Sequence, residues 1–86
     1  MYQERFNESL RVIAYFSAGK IVPATLFVKN RPVIVKKIVF SSKKRVGQVE
    51  VISFSLMSES SVYEVEFNKN TCDWVLKNVF VGDGQQ

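Results

Sequence analysis

The sequence predicts an all-β protein, with about six antiparallel strands in a meander that curls into a small barrel or roll. Apolar and polar residues alternate along most of the chain, and short clusters rich in Gly, Asn and Ser separate the alternating segments. The clearest case is VYEVEFN, residues 62–68, where Glu64 and Glu66 alternate with aromatic and aliphatic residues. No segment has the three- and four-residue apolar spacing that is typical of an amphipathic helix.

The longest apolar stretch, residues 21–39, predicts a β-hairpin around which the other strands are arranged. Its first arm, residues 21–28, is apolar on both faces of an extended chain and too rich in β-branched residues to favour a helix. Asn30 tolerates the left-handed backbone of a tight turn. Because Pro32 has no N–H, we expect its nitrogen to face away from the partner strand.

The second arm of this hairpin contains a break in phase. Four apolar side chains are divided between the two faces, with Val33 and Val35 on one and Ile38 and Phe40 on the other. One extra residue at Lys36-Lys37 would bring all four onto the same face. The sequence therefore predicts a β-bulge at that dipeptide.

The rest of the chain supplies further strands and turns of a single domain, residues 1–86. Residues 1–8 are expected to be a lead segment and residues 82–86 a frayed tail. Gly19 and Gly47 mark turns, and the basic segment 41–48 is expected to be an exposed turn or strand extension. The remaining strands are expected at residues 10–16, 49–57, 62–68 and 72–81.

The composition is that of a folded globular domain. Hydrophobic residues make up 47% of the 86 residues and charged residues 23%, which is too apolar for a disordered chain. A single cysteine cannot form an internal disulfide. The amino terminus has no signal-peptide pattern, and no run approaches the ~20 apolar residues of a membrane span. We therefore expect a cytoplasmic protein that does not bind membranes.

Charge is distributed asymmetrically along the chain. Between Ser9 and Val49 there are nine Lys and Arg residues and no acidic residue, whereas residues 50–68 carry four glutamates and no basic residue. Two interpretations stay open at this point. Basic and acidic strands could neutralise one another within the sheet, or a polarised surface could attract an anionic partner or a second copy of the chain.

The usual equipment of an enzyme is missing from the sequence. There is no histidine, zinc-ligand spacing, phosphate-binding glycine loop or nucleophile elbow. Cys72 has no basic neighbour of the kind that activates a catalytic thiol, so we expect it to be a packing residue. Glu64 and Glu66 share a strand face that we expect to be solvated. The sequence indicates a non-enzymatic protein without a metal or a cofactor, and it identifies no small-molecule substrate.

Two binding functions remain. Strands that are apolar on both faces would leave an exposed patch if the sheet stayed open, which favours a binding or protein-interaction module that self-associates or binds another protein. The alternative is a nucleic-acid-binding small β-barrel that uses the basic arm from Lys29 to Arg45. The candidate anion or nucleic-acid contacts are Lys29, Arg31, Lys36, Lys37, Lys43, Lys44, Arg45, Phe27 and Phe40.

Two segments resemble a family of uncharacterised small bacterial domains. The first is the run from Pro23 to Val39, which resembles a pattern P-x-x-F-x-W-x-G-R-x-Y-x-V-x-x-V through Pro23, Leu26, Phe27, Arg31, Val35 and Ile38. The second is the run from Val62 to Phe80, which resembles the family's YEL...W-x-L-x-x-V ending. The chain departs from the first pattern at Val28, Asn30 and Val33, where the family has Trp, Gly and Tyr. The resemblance implies a shared β fold and a bacterial source, and it implies no function.

Overall fold

The computed structural model describes residues 2–81, which form seven β-strands and no helix. The all-β prediction is therefore confirmed, and the expected tail at residues 82–86 lies outside the described residues. The strands are β1 (Tyr2–Ser17), β2 (Lys20–Val28), β3 (Arg31–Ile34), β4 (Lys37–Val46), β5 (Val49–Met57), β6 (Ser61–Asn68) and β7 (Asp73–Val81).

All seven strands belong to one antiparallel sheet that curls into a half-barrel. The strand order is β3-β2-β1-β7-β6-β5-β4, so the chain meanders and the first and last strands pair with each other. The two edges of the sheet are β3 and β4, which follow one another directly in sequence. The half-barrel is therefore interrupted between two strands that the chain itself connects.

The connection between β3 and β4, which we call the junction, consists of Val35 and Lys36. The N–H of Val35 donates to the carbonyl oxygen of Ala24 on β2 at 3.0 Å, and the N–H of Lys36 donates to that of Met57 on β5 at 2.7 Å. Neighbouring amides of an extended chain point in opposite directions. Two successive residues can therefore bind β2 and β5, the strands next to the two edges, at once.

The junction explains why seven strands replace the expected six or so. Residues 31–46 are one long extended segment whose first part pairs with β2 and whose second part pairs with β5. The predicted β-bulge at Lys36-Lys37 is wrong, because the segment changes partner strand at this point instead of looping out one residue. Of the four apolar side chains expected on one face, Val33, Val35 and Ile38 pack against the core, and Phe40 does not.

β1 also divides its length between two partners. Residues 2–10 pair with β7, and residues 11–17 pair with β2. The expected lead segment at residues 1–8 is wrong over residues 2–8, which belong to this strand. Its polar side chains, such as Glu4 and Glu8, are exposed, and the hydrogen-bonded ladder to β7 needs no apolar residue to form.

A bulge in β2 explains why the first arm of the hairpin looks apolar on both faces. Ile13 pairs with Thr25 and Ala14 pairs with Pro23, which leaves Ala24 as an extra residue. An extra residue reverses the alternation of faces. As a result, Pro23 and Leu26 are both buried although they are three residues apart.

Bulges at Val39 and Lys77 correct two further expectations. Val39 has no partner between the pairs that join β4 to β5, and Phe40 is consequently turned to the outer face, where it is 63% exposed. Phe40 was expected on the core face. Lys77 is extra relative to β6, so that Val79, and not the predicted Phe80, continues the buried face of β7.

The core lies on the concave face of the half-barrel. Trp74 is at its centre, with ring centroids 4.6 Å from Phe67 and 5.8 Å from Phe54. Leu26 from one side of the junction and Leu56 from the other are fully buried in the same cluster. The buried members are Leu26, Ile52, Phe54, Leu56, Val65, Phe67, Trp74, Leu76 and Val79.

Tight turns fix the register of the hairpins. Both residues of the Lys29-Asn30 turn have positive φ angles, 53° and 65°, as a type I′ turn requires. Gly47 has a φ of 64° and precedes Gln48, for which no positive φ is found, as in a type II′ turn. The predicted turns at Asn30 and Gly47 are confirmed.

The junction gives a direct test of the fold. Lys36→Pro removes the N–H that binds Met57, and we expect it to lower the free energy of unfolding by about 1–3 kcal/mol. Lys36→Ala keeps this N–H and removes only an exposed side chain, so its effect should stay within ~0.5 kcal/mol. Urea unfolding of the two variants measures the difference, and equal stabilities would contradict the assigned role of the junction.

Candidate interaction surface

The seven cations among the predicted contacts are spread along one extended line. Lys29 lies in the β2–β3 turn and Arg31 directly after it. Lys36 and Lys37 lie at or beside the junction. Three more lie near the end of β4: Lys43, Lys44 and Arg45. All seven are exposed. Lys37 and Arg45 are eight residues apart on one strand, which corresponds to ~26 Å. The basic arm is therefore a track along one strand line and not a pocket.

The two predicted aromatic contacts lie on different parts of the sheet. Phe27 is on β2, half-buried, with the guanidinium of Arg11 stacked 4.9 Å from its ring centroid. Phe40 is on β4, at the opposite end of the strand order, and is mostly exposed. The two rings therefore do not form one stacking surface.

Cross-strand ion pairs neutralise part of the charge. Lys44 Nζ lies 3.3 Å from Glu66 Oε2, and Lys69 Nζ lies 3.4 Å from Glu50 Oε1. Exposed pairs of this kind contribute ~0–1 kcal/mol. Among residues 2–81, Lys44 is the one cation of the basic arm with such a partner. Neutralisation within the sheet thus accounts for a minor share of the arm.

The outer surface of the three-stranded ribbon β1–β2–β3 carries a contiguous apolar patch, which we call the ribbon face. The pairing places Ile13, Thr25 and Ile34 side by side in one row across the ribbon. Ile13 is 56% exposed, Tyr15 55% and Ile34 55%. The residues of the ribbon face are Arg11, Ile13, Tyr15, Val22, Thr25, Phe27, Pro32 and Ile34.

Positive charge surrounds this apolar patch. Lys20 begins β2, Lys29 is in the turn to β3, and Lys36 follows β3 at the junction. All three are exposed. Because no acidic residue occurs between Ser9 and Val49, no carboxylate of β2 or β3 offsets them. The ribbon face is an apolar centre with a basic rim.

The outer surface across the amino-terminal part of β1, β7 and β6 has a different character. Gln3 donates to Asn78 Oδ1 at 3.2 Å, and Asn78 Nδ2 donates to Glu64 Oε1 at 2.9 Å. Lys77 donates to Asn7 Oδ1 at 3.3 Å. This polar network suits contact with water, so exposed apolar residues are not a general property of the sheet.

Two clefts lie on either side of the junction, where the sheet edges separate. The larger, about 630 Å³, lies between β3 and the β5–β6 connection and is lined by Arg31, Lys36, Glu59, Tyr63 and neighbouring residues. The smaller, about 260 Å³, is lined by residues of β1, β2 and the junction. Both are open, and each is the gap that remains where the chain crosses from one edge to the other.

Glu64 and Glu66 lie on β6, and Cys72 lies in the turn that follows this strand. Cys72 was expected to be a packing residue within the last strand, but it is exposed in the turn before β7, with a φ of 63°. Its N–H donates to the carbonyl oxygen of Asn68 at 2.7 Å, which closes this turn. Glu64 and Glu66 each have the polar partner described above. Residues 2–81 contain no group of three His, Cys, Asp or Glu side chains that could hold a metal ion.

Comparison of the chain with family models, curated proteins and solved structures finds no match in any of the three. The similarity to small bacterial domains therefore stays a prediction. In the part of the chain that the structure describes, no helix is long and apolar enough to span a membrane.

Proposed function

We propose that this protein is a non-enzymatic interaction module that self-associates through the ribbon face. The observation that carries the proposal is that Ile13, Tyr15 and Ile34 are each more than half exposed on one surface, with Thr25 between Ile13 and Ile34. Contiguous apolar patches with a polar rim are typical of protein interfaces. A two-fold axis through the patch would place the same residues of two copies against each other.

The basic rim gives self-association a distinctive salt dependence. Two copies joined at the ribbon face would bring like charges such as Lys20 and Lys29 of each copy together at the edge of the interface. Added salt screens this repulsion over a distance of about 10 Å at 0.1 M. Self-association should therefore strengthen with salt, whereas binding of an acidic partner at the same face should weaken.

Sedimentation velocity over a micromolar concentration range tests this proposal. We expect Ile34→Lys and Ile13→Lys to raise the dimer dissociation constant at least about tenfold, because each places a charge in an apolar contact. Val46→Lys is the matched control, since Val46 is 58% exposed but lies on β4, outside the ribbon face. A wild-type chain that stays monomeric at ~100 μM in 0.5 M salt would contradict the proposal, as would equal effects of the three substitutions.

Nucleic-acid binding is the second candidate, and the layout of residues 31–46 favours it. Exposed cations recur along this single extended segment, and Phe40 offers an exposed ring between its two halves. A positive track with an exposed aromatic ring is a pattern that binds single strands. The two rings do not lie together, which is why self-association ranks first.

A salt series with single-stranded RNA separates this candidate from the first. Four phosphate contacts predict a slope of about −3 in a plot of log affinity against log salt concentration, and Lys43→Ala should make that slope less steep by ~0.7. Lys69→Ala is the control, because Lys69 lies outside the basic arm and pairs with Glu50. A flat salt dependence, or the same loss in both variants, would rule out the track as a nucleic-acid site.

A further inference from the structure

Along β4, the backbone N–H and C=O groups of successive residues point alternately toward β5 and toward the free edge. The two-residue turn at Gly47 and Gln48 makes Val46 and Val49 a hydrogen-bonded pair. Hydrogen-bonded and non-hydrogen-bonded pairs alternate along an antiparallel ladder. The residues whose N–H and C=O groups consequently point away from β5 are Ser41, Lys43 and Arg45.

A hydrogen bond on the far side of β5 independently supports this phase. The carbonyl oxygen of Glu50 accepts from the N–H of Lys69 at 3.0 Å, just beyond the end of β6. The Glu50 backbone is therefore directed toward β6 and not toward β4. Its partner in the register is Arg45, which must direct its own backbone groups to the opposite side, the free edge.

The other edge of the sheet is closed to strand addition. The two-residue turn before β3 makes Val28 and Arg31 a hydrogen-bonded pair, so that the Pro32 nitrogen faces outward, as the sequence predicts. Proline has no N–H to donate, and β3 is only four residues long. Short edge strands with proline resist pairing with other chains. β4, with ten residues and no proline, lacks both devices.

The side chains of β4 indicate which kind of strand would fit. Lys43 and Arg45 lie on the concave side and Lys44 on the convex side, and all three are exposed. Phe40 and Val46 add apolar surface on the convex side, at 63% and 58% exposure. A second copy of β4 would bring two cationic strands together. An extended segment with alternating acidic residues would place its carboxylates on one side of the sheet, and on the concave side they would meet the opposite charges of Lys43 and Arg45.

We propose that β4 binds an acidic, extended segment of another protein by strand addition, with backbone hydrogen bonds to Ser41, Lys43 and Arg45. The bound segment would extend the sheet by one strand beyond its open edge. Backbone pairing would supply the affinity, and the cations of β4 would supply the preference for acidic sequences. This site is separate from the ribbon face and does not depend on self-association.

A fluorescent synthetic peptide of about eight residues, alternating glutamate with valine or threonine, is the probe, and its anisotropy measures binding. Lys43→Ala removes one charge and keeps the backbone donor, so affinity should fall about threefold. Lys43→Pro also removes the donor and should bind at least about tenfold more weakly than Lys43→Ala. Because this N–H does not pair with β5, the proline variant should stay folded, whereas Ser42→Pro should unfold at lower urea.

Peptide variants test the same site on the wild-type protein. N-methyl groups on the alternate peptide amides that would face β4 should abolish binding, and N-methyl groups on the other alternate amides should leave it within about twofold. A peptide with lysine in place of glutamate should not bind. The proposal fails if both N-methylated peptides bind equally, if the lysine peptide binds as well as the glutamate peptide, or if no binding occurs up to ~1 mM.

Discussion

Two adjacent backbone amides connect the two sides of the gap in this sheet. The N–H of Val35 binds β2 and the N–H of Lys36 binds β5. The chain thereby crosses the gap between β3 and β4, which follow one another in sequence but do not pair as a hairpin would. Because of this crossing, Leu26 and Leu56, which lie on strands at opposite ends of the sheet, are buried in one core. The ladder between β1 and β7 closes the other side. An open sheet of this length would leave its concave side chains exposed to water. A fully closed barrel would have no free strand edge to which another chain could bind.

The surfaces available for binding follow from the same constraint. β3 is only four residues long, and the outer surface of the ribbon of β1, β2 and β3 exposes Ile13, Tyr15 and Ile34. β4 continues alone along β5, and every one of its side chains except Ile38 is exposed. The cations of the chain are concentrated on these two features, while Glu64 and Glu66 lie on the outer face of β6, one strand further from the edge. Positive charge and exposed apolar side chains thus occur together on the ribbon and on β4.

Local signals in the sequence predict the turns and several strands, because they depend on neighbouring residues alone. Asn30 and Gly47 identify their turns, and residues 49–57 match β5 at both ends. Bulges cannot be recognised from the alternation of apolar and polar residues alone. The extra residue Ala24 makes residues 21–28 resemble a strand with two apolar faces. The extra residue Lys77 brings Val79 into the core in place of the predicted Phe80. The open edge of β4 depends on which strand each half of residues 31–46 pairs with. That choice is set by contacts distant in sequence, so the sequence predicts the binding surfaces only as a basic arm and as an apolar patch without a defined position.

Hydrogen exchange of individual amides, followed by NMR in the native state, tests the junction most directly. Lys36 has an exposed side chain and lies between two strands, so its amide would exchange rapidly if the junction were an ordinary loop. We predict that the amides of Val35 and Lys36 are protected to within about tenfold of core amides such as those of Leu56 and Val65. Exchange of both amides at the rate of an exposed turn such as Glu59 would contradict the account.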